Sequence, residues 1–134
     1  MKAKNITSWI LRIVVAVILG QTLFFKFTAA PESVALFTQL GIEPFGRIGI
    51  GIAELVAVVL ILIPRTVFYG ALLSTALMVG ALGAHVTELG FAGEMASLAA
   101  LAGVALLAAA GVIALHLPRI LKSSPKIPAP EAGA

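Results

Sequence analysis

Four apolar runs, each long enough to cross a bilayer as a helix, leave this chain few alternatives. They extend from about Thr7 to Phe27, Gly46 to Ile63, Thr66 to Val86 and Glu94 to Leu117. An α-helix needs roughly 20 predominantly apolar residues to traverse ~30 Å of hydrocarbon. The second run is the shortest and, with flanking Arg47, just suffices. Strict alternation of apolar and polar residues is absent, which disfavours a β-barrel. Of the 134 residues, 60% are hydrophobic and 11% charged, and mean hydropathy is +1.12. That leaves too little polar surface for a water-soluble domain. The expected fold class is all-α, an integral membrane four-helix transmembrane bundle over residues 1–117.

The connections set its topology. Pro64-Arg65 is the whole link between the second and third runs, so those helices form an antiparallel hairpin. Pro64 lacks a backbone donor and clashes with the preceding turn, which ends the second helix. The first link, Thr28 to Phe45, is longer. Its Pro31-Glu32-Ser33 suits a helix start, and Val34, Leu36, Phe37 and Leu40 suit a short interfacial helix in the first outer loop. Gly41 supplies a stop and Pro44 restarts the chain. Residues 118–134 carry Pro118, Pro125, Pro128 and Pro130 and are expected to form a flexible Pro-rich cytoplasmic tail. Lys2 and Lys4 resemble the basic start of a signal peptide. The apolar run is too long, Lys26 is badly placed and Pro31 would follow the cut, so the first run is read as a retained span.

Charge gives the orientation. One side collects Lys2, Lys4, Arg65, Arg119, Lys122 and Lys126 against Glu131; the other collects Glu32, Glu43, Glu88 and Glu94 against Lys26 and Arg47. The positive-inside rule then places both termini in the cytoplasm of a multi-pass cell-membrane protein, with a bacterial inner membrane expected. The net charge of +3 and pI near 9.7 are topology signals on this reading, and no nucleic-acid partner is expected. With no cysteine in the sequence, disulfides, thiolate metal sites and dithiol redox chemistry are excluded. No metal site and no intrinsic cofactor are expected. The Gly46-Arg-Ile-Gly49-Ile-Gly51 run follows no strand and lacks phosphate-loop spacing, so a nucleotide loop is rejected.

Glu54 is the only charge between Ile48 and Ile63. An acidic side chain near a bilayer centre costs roughly 2.5–3.5 kcal/mol on insertion scales, so it calls for a proton, a partner or a wet interior. It lies about 10 Å along the second span at 1.5 Å per residue. Lys26 closes the first span on the same side, and His85 closes the third. Antiparallel packing therefore gathers Lys26, Glu54 and His85 in the outer half of the bundle. Arg47, seven residues before Glu54, shares its face, and Glu88 shares a face with His85 by the i,i+3 rule. Other roles compete: Lys26 as a snorkelling anchor, Arg47 as a partner of Glu43, and a buried pair that merely fixes helix register. Arg12 is expected to snorkel to lipid phosphate, with His116 and Arg119 at the same boundary. The small residues Gly51, Ala53, Ala76, Gly80, Ala84, Ala96, Ala99, Ala100 and Gly103 suit close helix packing.

Several pieces together resemble the DoxX family of small four-helix membrane proteins, over about residues 8–115. They are Leu11-Arg12-Ile13, Phe24-Phe25-Lys26-Phe27, Gly51-Ile-Ala-Glu54-Leu55, Tyr69-Gly70-Ala71, Met78-Val-Gly-Ala-Leu-Gly-Ala-His85 and Leu89-Gly90. Phe25 stands where the family often has Gly. The resemblance implies a four-helix bundle with Lys26, Glu54 and His85 as its polar signature. It also implies a link to thiosulfate oxidation with quinone as acceptor, or a role as accessory partner of redox enzymes or assembly chaperone.

Three functions follow as expectations. The first is a redox-associated accessory subunit, not a self-sufficient enzyme, with a quinone-type or other lipophilic ligand pocket. There Lys26 and His85 would donate to the headgroup and Glu54 would exchange protons, with Arg47 and Glu88 in support; a redox or other membrane-protein partner would supply electrons. The second is a non-enzymatic, chaperone-like assembly scaffold. The third is a small proton-coupled transporter, whose carboxylate alternates between proton and cationic substrate. The lipid bilayer is a partner on any reading, and the sequence leaves a homo-oligomer open.

Overall fold

Residues 2–123 are described in the computed structural model. The expected tail from residue 124 onward lies outside them, as do the side chains of Lys2, Lys4, Glu94, Arg119 and Lys122. The described residues form α1 (Lys2–Phe27), α2 (Pro31–Gln39), α3 (Phe45–Leu62), α4 (Val67–Ala84) and α5 (Glu94–Ser123), with a π-helical turn at His85–Leu89. Four segments are long and apolar enough to cross a membrane: Asn5–Phe27, Phe45–Leu62, Val67–Leu89 and Met95–Leu117. α1 packs on α3 and α5, and α4 packs on the same two, so helices adjacent in sequence are neighbours and α5 closes the ring.

The core is built on small residues at helical spacing. Ala102, Ala105, Ala109 and Val112 of α5 face Val15 and Leu19 of α1, Ala57 and Ile61 of α3, and Ala71 and Met78 of α4. Alanine brings backbones close, which suits association where lipid is as apolar as the helices. Large apolar side chains occupy the outside instead: Ile6, Ile10, Ile13, Val17 and Phe24 of α1 are all exposed, and Leu107 of α5 is 75% exposed. A bundle in water would hide such a surface.

Two sequence expectations are corrected at the termini end. The first is Arg12, which does not snorkel; it is buried. Pro64 has no N–H for the Leu60 carbonyl, and the helix end leaves the next carbonyls without helical partners. Thr66 Oγ1 donates to Leu60 at 2.8 Å, while Arg12 Nε donates to Ile61 O at 2.7 Å and Nη2 to Leu62 O at 2.9 Å. The guanidinium stacks over Trp9 at 3.7 Å. A cation at a helix C-terminus is favoured by the helix dipole as well. Gly70 permits this tight hairpin, because a Cβ there would collide with the Ile61 backbone. The second is the fourth helix, which runs past Leu117 and Pro118 to Ser123. Proline removes a single helical hydrogen bond, and near a helix end the remaining turns carry on across it.

Candidate functional site

At the opposite end, α2 caps the bundle, touching α1, α3 and the π turn. Pro31 starts it, where a missing N–H costs nothing, and Glu32 lies in its first turn. Gln39 Nε2 ties its end to the Glu88 carbonyl at 2.9 Å. Beneath it, Lys26 Nζ lies 3.0 Å from Glu54 Oε1 and 3.2 Å from Oε2. Both side chains are largely enclosed, 12% and 4% exposed respectively. Lys26 also stands 5.9 Å from the centre of the Phe37 ring of α2, within the range of cation–π attraction. So this lysine turns inward and does not snorkel.

Gly51 makes the approach possible. A Cβ at that position would meet the Phe27 ring at 3.1 and 3.3 Å and Lys26 Cβ at 3.6 Å. With hydrogen there instead, α3 slides against the last turn of α1, one turn before Glu54.

Thr22, which the sequence reading passed over, is the third member. Its Oγ1 lies 2.9 Å from both Glu54 Oε2 and the Leu19 carbonyl, so its single proton is shared between them. The signal was present: Thr22 precedes Lys26 by four residues and so shares its face of α1.

Arg47 is buried but does not reach Glu54. Nε donates to Glu43 at 2.8 and 3.0 Å, and Nη1 donates to the Lys26 carbonyl. It adds a second donor to a carbonyl that Ala29 N reaches at 3.3 Å, so it bears on the Lys26–Glu54 pair through the backbone that carries Lys26.

His85 and Glu88 separate. His85 is buried, with Nδ1 3.0 Å from the Gly90 carbonyl and the ring stacked on Phe91 at 5.9 Å. Glu88 is exposed and takes part through its backbone carbonyl alone. The i,i+3 expectation fails because α4 widens into a π turn, closed by Gly90 N donating to His85 O at 2.8 Å. In that wider turn, three residues fall short of one revolution. π turns of this kind cluster at functional sites.

Lys26, Glu54, Thr22 and His85 all line one cavity of about 820 Å³ bounded by α1 to α5 and the π turn. Its walls are mainly apolar, among them Leu19, Phe37, Met78, Ala81 and Leu101, while Glu32, Ser33 and Ser97 add polar atoms. A cavity of this size with few converging polar groups is the usual form of a small-molecule site. No cluster of three metal-ligating side chains occurs among the described residues.

The sequence model described as the DoxX-like family matches residues 10–111. No curated protein and no solved structure matches the chain significantly.

Proposed function

The chain belongs to the DoxX-like family of membrane proteins, and on that premise we propose that it is an accessory membrane subunit holding a quinone-type lipophilic ligand beneath α2. The observation that carries this reading is the cavity itself: about 820 Å³, apolar for most of its wall, with Lys26, Glu54, Thr22 and His85 on it. An isoprenoid or alkyl chain would lie against Leu19, Met78 and Leu101, and the ring would meet the polar side. A bound quinone would supply two-electron redox chemistry. The protein supplies the Lys26 ammonium as donor to a carbonyl oxygen and Glu54 as a carboxylate beside it. On this reading the electron donor is a partner protein. The bundle spans the cell membrane with both termini cytoplasmic and α2 lying at the outer interface; the pocket then opens near the outer leaflet.

The transporter reading is weaker. Glu54 already has an internal cation at 3.0 Å, which balances the charge that a cationic substrate would need.

The test is thermal unfolding of the purified chain with a decyl-substituted benzoquinone and its hydroquinone. Ligand at about 100 times Kd stabilises by about 2.7 kcal/mol, a rise of several degrees. Lys26→Met should shrink that rise. If neither member of the redox pair moves the transition, the proposed ligand class is wrong.

A further inference from the structure

Spare hydrogen-bonding capacity on the cavity wall is uneven, and the imbalance discriminates between chemical forms of a headgroup. A carbonyl can only accept, so the 3.0 Å contact between His85 Nδ1 and Gly90 O places the ring proton on Nδ1. A neutral ring so arranged leaves Nε2 as an acceptor. Nε2 makes no hydrogen bond among the described residues, yet none of their buried side-chain nitrogens or oxygens lacks a partner. Nε2 therefore reaches open space, and His85 is a wall of the cavity.

Glu54 has acceptor capacity to spare as well. An ionised carboxylate takes about four hydrogen bonds. Lys26 donates to Oε2 and pairs in charge with Oε1 at 3.0 Å, and Thr22 shares its proton with Oε2. Oε1 is left with open positions. Exposed Glu32, also on the wall, adds further acceptors. Against these, Lys26 has two N–H of three unspent.

From this balance we infer that the cavity selects a hydroxyl-bearing headgroup, the hydroquinone or phenol class, over the corresponding quinone. The inference rests on the ligand class proposed above and adds its redox form. A quinone carbonyl can accept from Lys26 but leaves the acceptors of His85 and Glu54 unmatched. A hydroxyl accepts from Lys26 and also donates its proton to one of them. A site whose polar groups are built to pair with an O–H discriminates against analogues that lack it. The sequence points to His85 as a donor; with Nδ1 spent on Gly90, the neutral ring offers an acceptor instead.

The experiment uses the 134-residue chain in lipid nanodiscs under anaerobic conditions. Binding is measured by calorimetry for decyl-benzoquinone, its hydroquinone and the hydroquinone dimethyl ether. One extra matched hydrogen bond is worth about a factor of ten, so the hydroquinone should bind about tenfold tighter than either of the others. His85→Phe keeps an aromatic ring against Phe91 and should bring the hydroquinone down to the affinity of the quinone. Quinone or ether binding as tightly as hydroquinone overturns the inference but leaves the proposed ligand class standing. A preference undiminished in His85→Phe overturns it too. Failure of all three compounds to bind removes both readings. Should His85→Phe not fold, the ether comparison on the unmodified protein decides alone.

Discussion

Removing one member of the Lys26–Glu54 pair strands the other, and removing both does not. Breaking a buried pair from one side costs about 3–5 kcal/mol, because the remaining charge stays desolvated. In Lys26→Met the Glu54 carboxylate keeps only the shared Thr22 proton at 2.9 Å, which offsets part of that cost and puts the loss near about 3 kcal/mol. In Glu54→Leu the ammonium keeps the Phe37 ring face at 5.9 Å, worth about 1–2 kcal/mol at best, and the loss is about 4 kcal/mol. The double variant Lys26→Met/Glu54→Leu buries no charge, and Thr22 falls back wholly on the Leu19 carbonyl. Apolar replacement of a buried pair is commonly neutral or stabilising, so this variant should lie within about 1 kcal/mol of the original. Reversible unfolding in mixed micelles, followed by circular dichroism for all four proteins, gives the coupling directly. On these figures it should be about 6 kcal/mol or more. A double variant whose loss equals the two single losses added, within about 0.5 kcal/mol, would refute the claim that these charges hold each other.

Further outcomes are expected elsewhere. Arg12→Leu uncovers the Ile61 and Leu62 carbonyls and should cost about 2–4 kcal/mol in the same unfolding assay; Arg12→Lys should recover little, since an ammonium cannot reproduce the planar fork. Full recovery by lysine would contradict the capping geometry. Gly51→Val pushes into Phe27, 3.1 Å from the ideal Cβ, and should cost about 1–3 kcal/mol by overpacking. Gly49→Ala, with nothing within 4 Å, should be tolerated, and equal losses from the two would mean that the α1–α3 contact is not the cause. Because the chain has no cysteine, Glu32→Cys and Arg65→Cys each give a single label site. An impermeant maleimide applied to intact cells should modify the first and spare the second; the opposite pattern reverses the proposed orientation.

How much of this is legible in the sequence depends on whether a residue's role is local or comes from another helix. Span length and apolarity are local, so the four long helices and the short one starting at Pro31 could be read off directly. Lys26 and Glu54 came together from topology alone, since antiparallel helices fix depth. Arg12 could not be read this way, because its partners are carbonyls released by Pro64, 49 and 50 residues away in sequence. His85 and Glu88 were misjudged for a different reason: their relation depends on the helical pitch, and nothing in Ala84-His85-Val86-Thr87-Glu88 announces a π turn. Thr22 was hidden by its ordinariness, a hydroxyl that satisfies its own helix at Leu19 while reaching for Glu54.

A scaffold and a ligand carrier make different demands on that end of the molecule. A register-fixing ion pair needs nothing beyond Lys26, Glu54 and Thr22, and would be best served by a dry, filled interior around them. Protein interiors pack to crystal-like density with few voids larger than a water molecule. Here the walls near the pair include Ala76, Gly80, Ala81, Ala84 and Ala102, where larger side chains would close the gap. A partly open cleft of about 820 Å³ is left instead. On the proposed reading a lipophilic ligand fills it. The pair alone fits either role, whereas the space beside it favours the carrier.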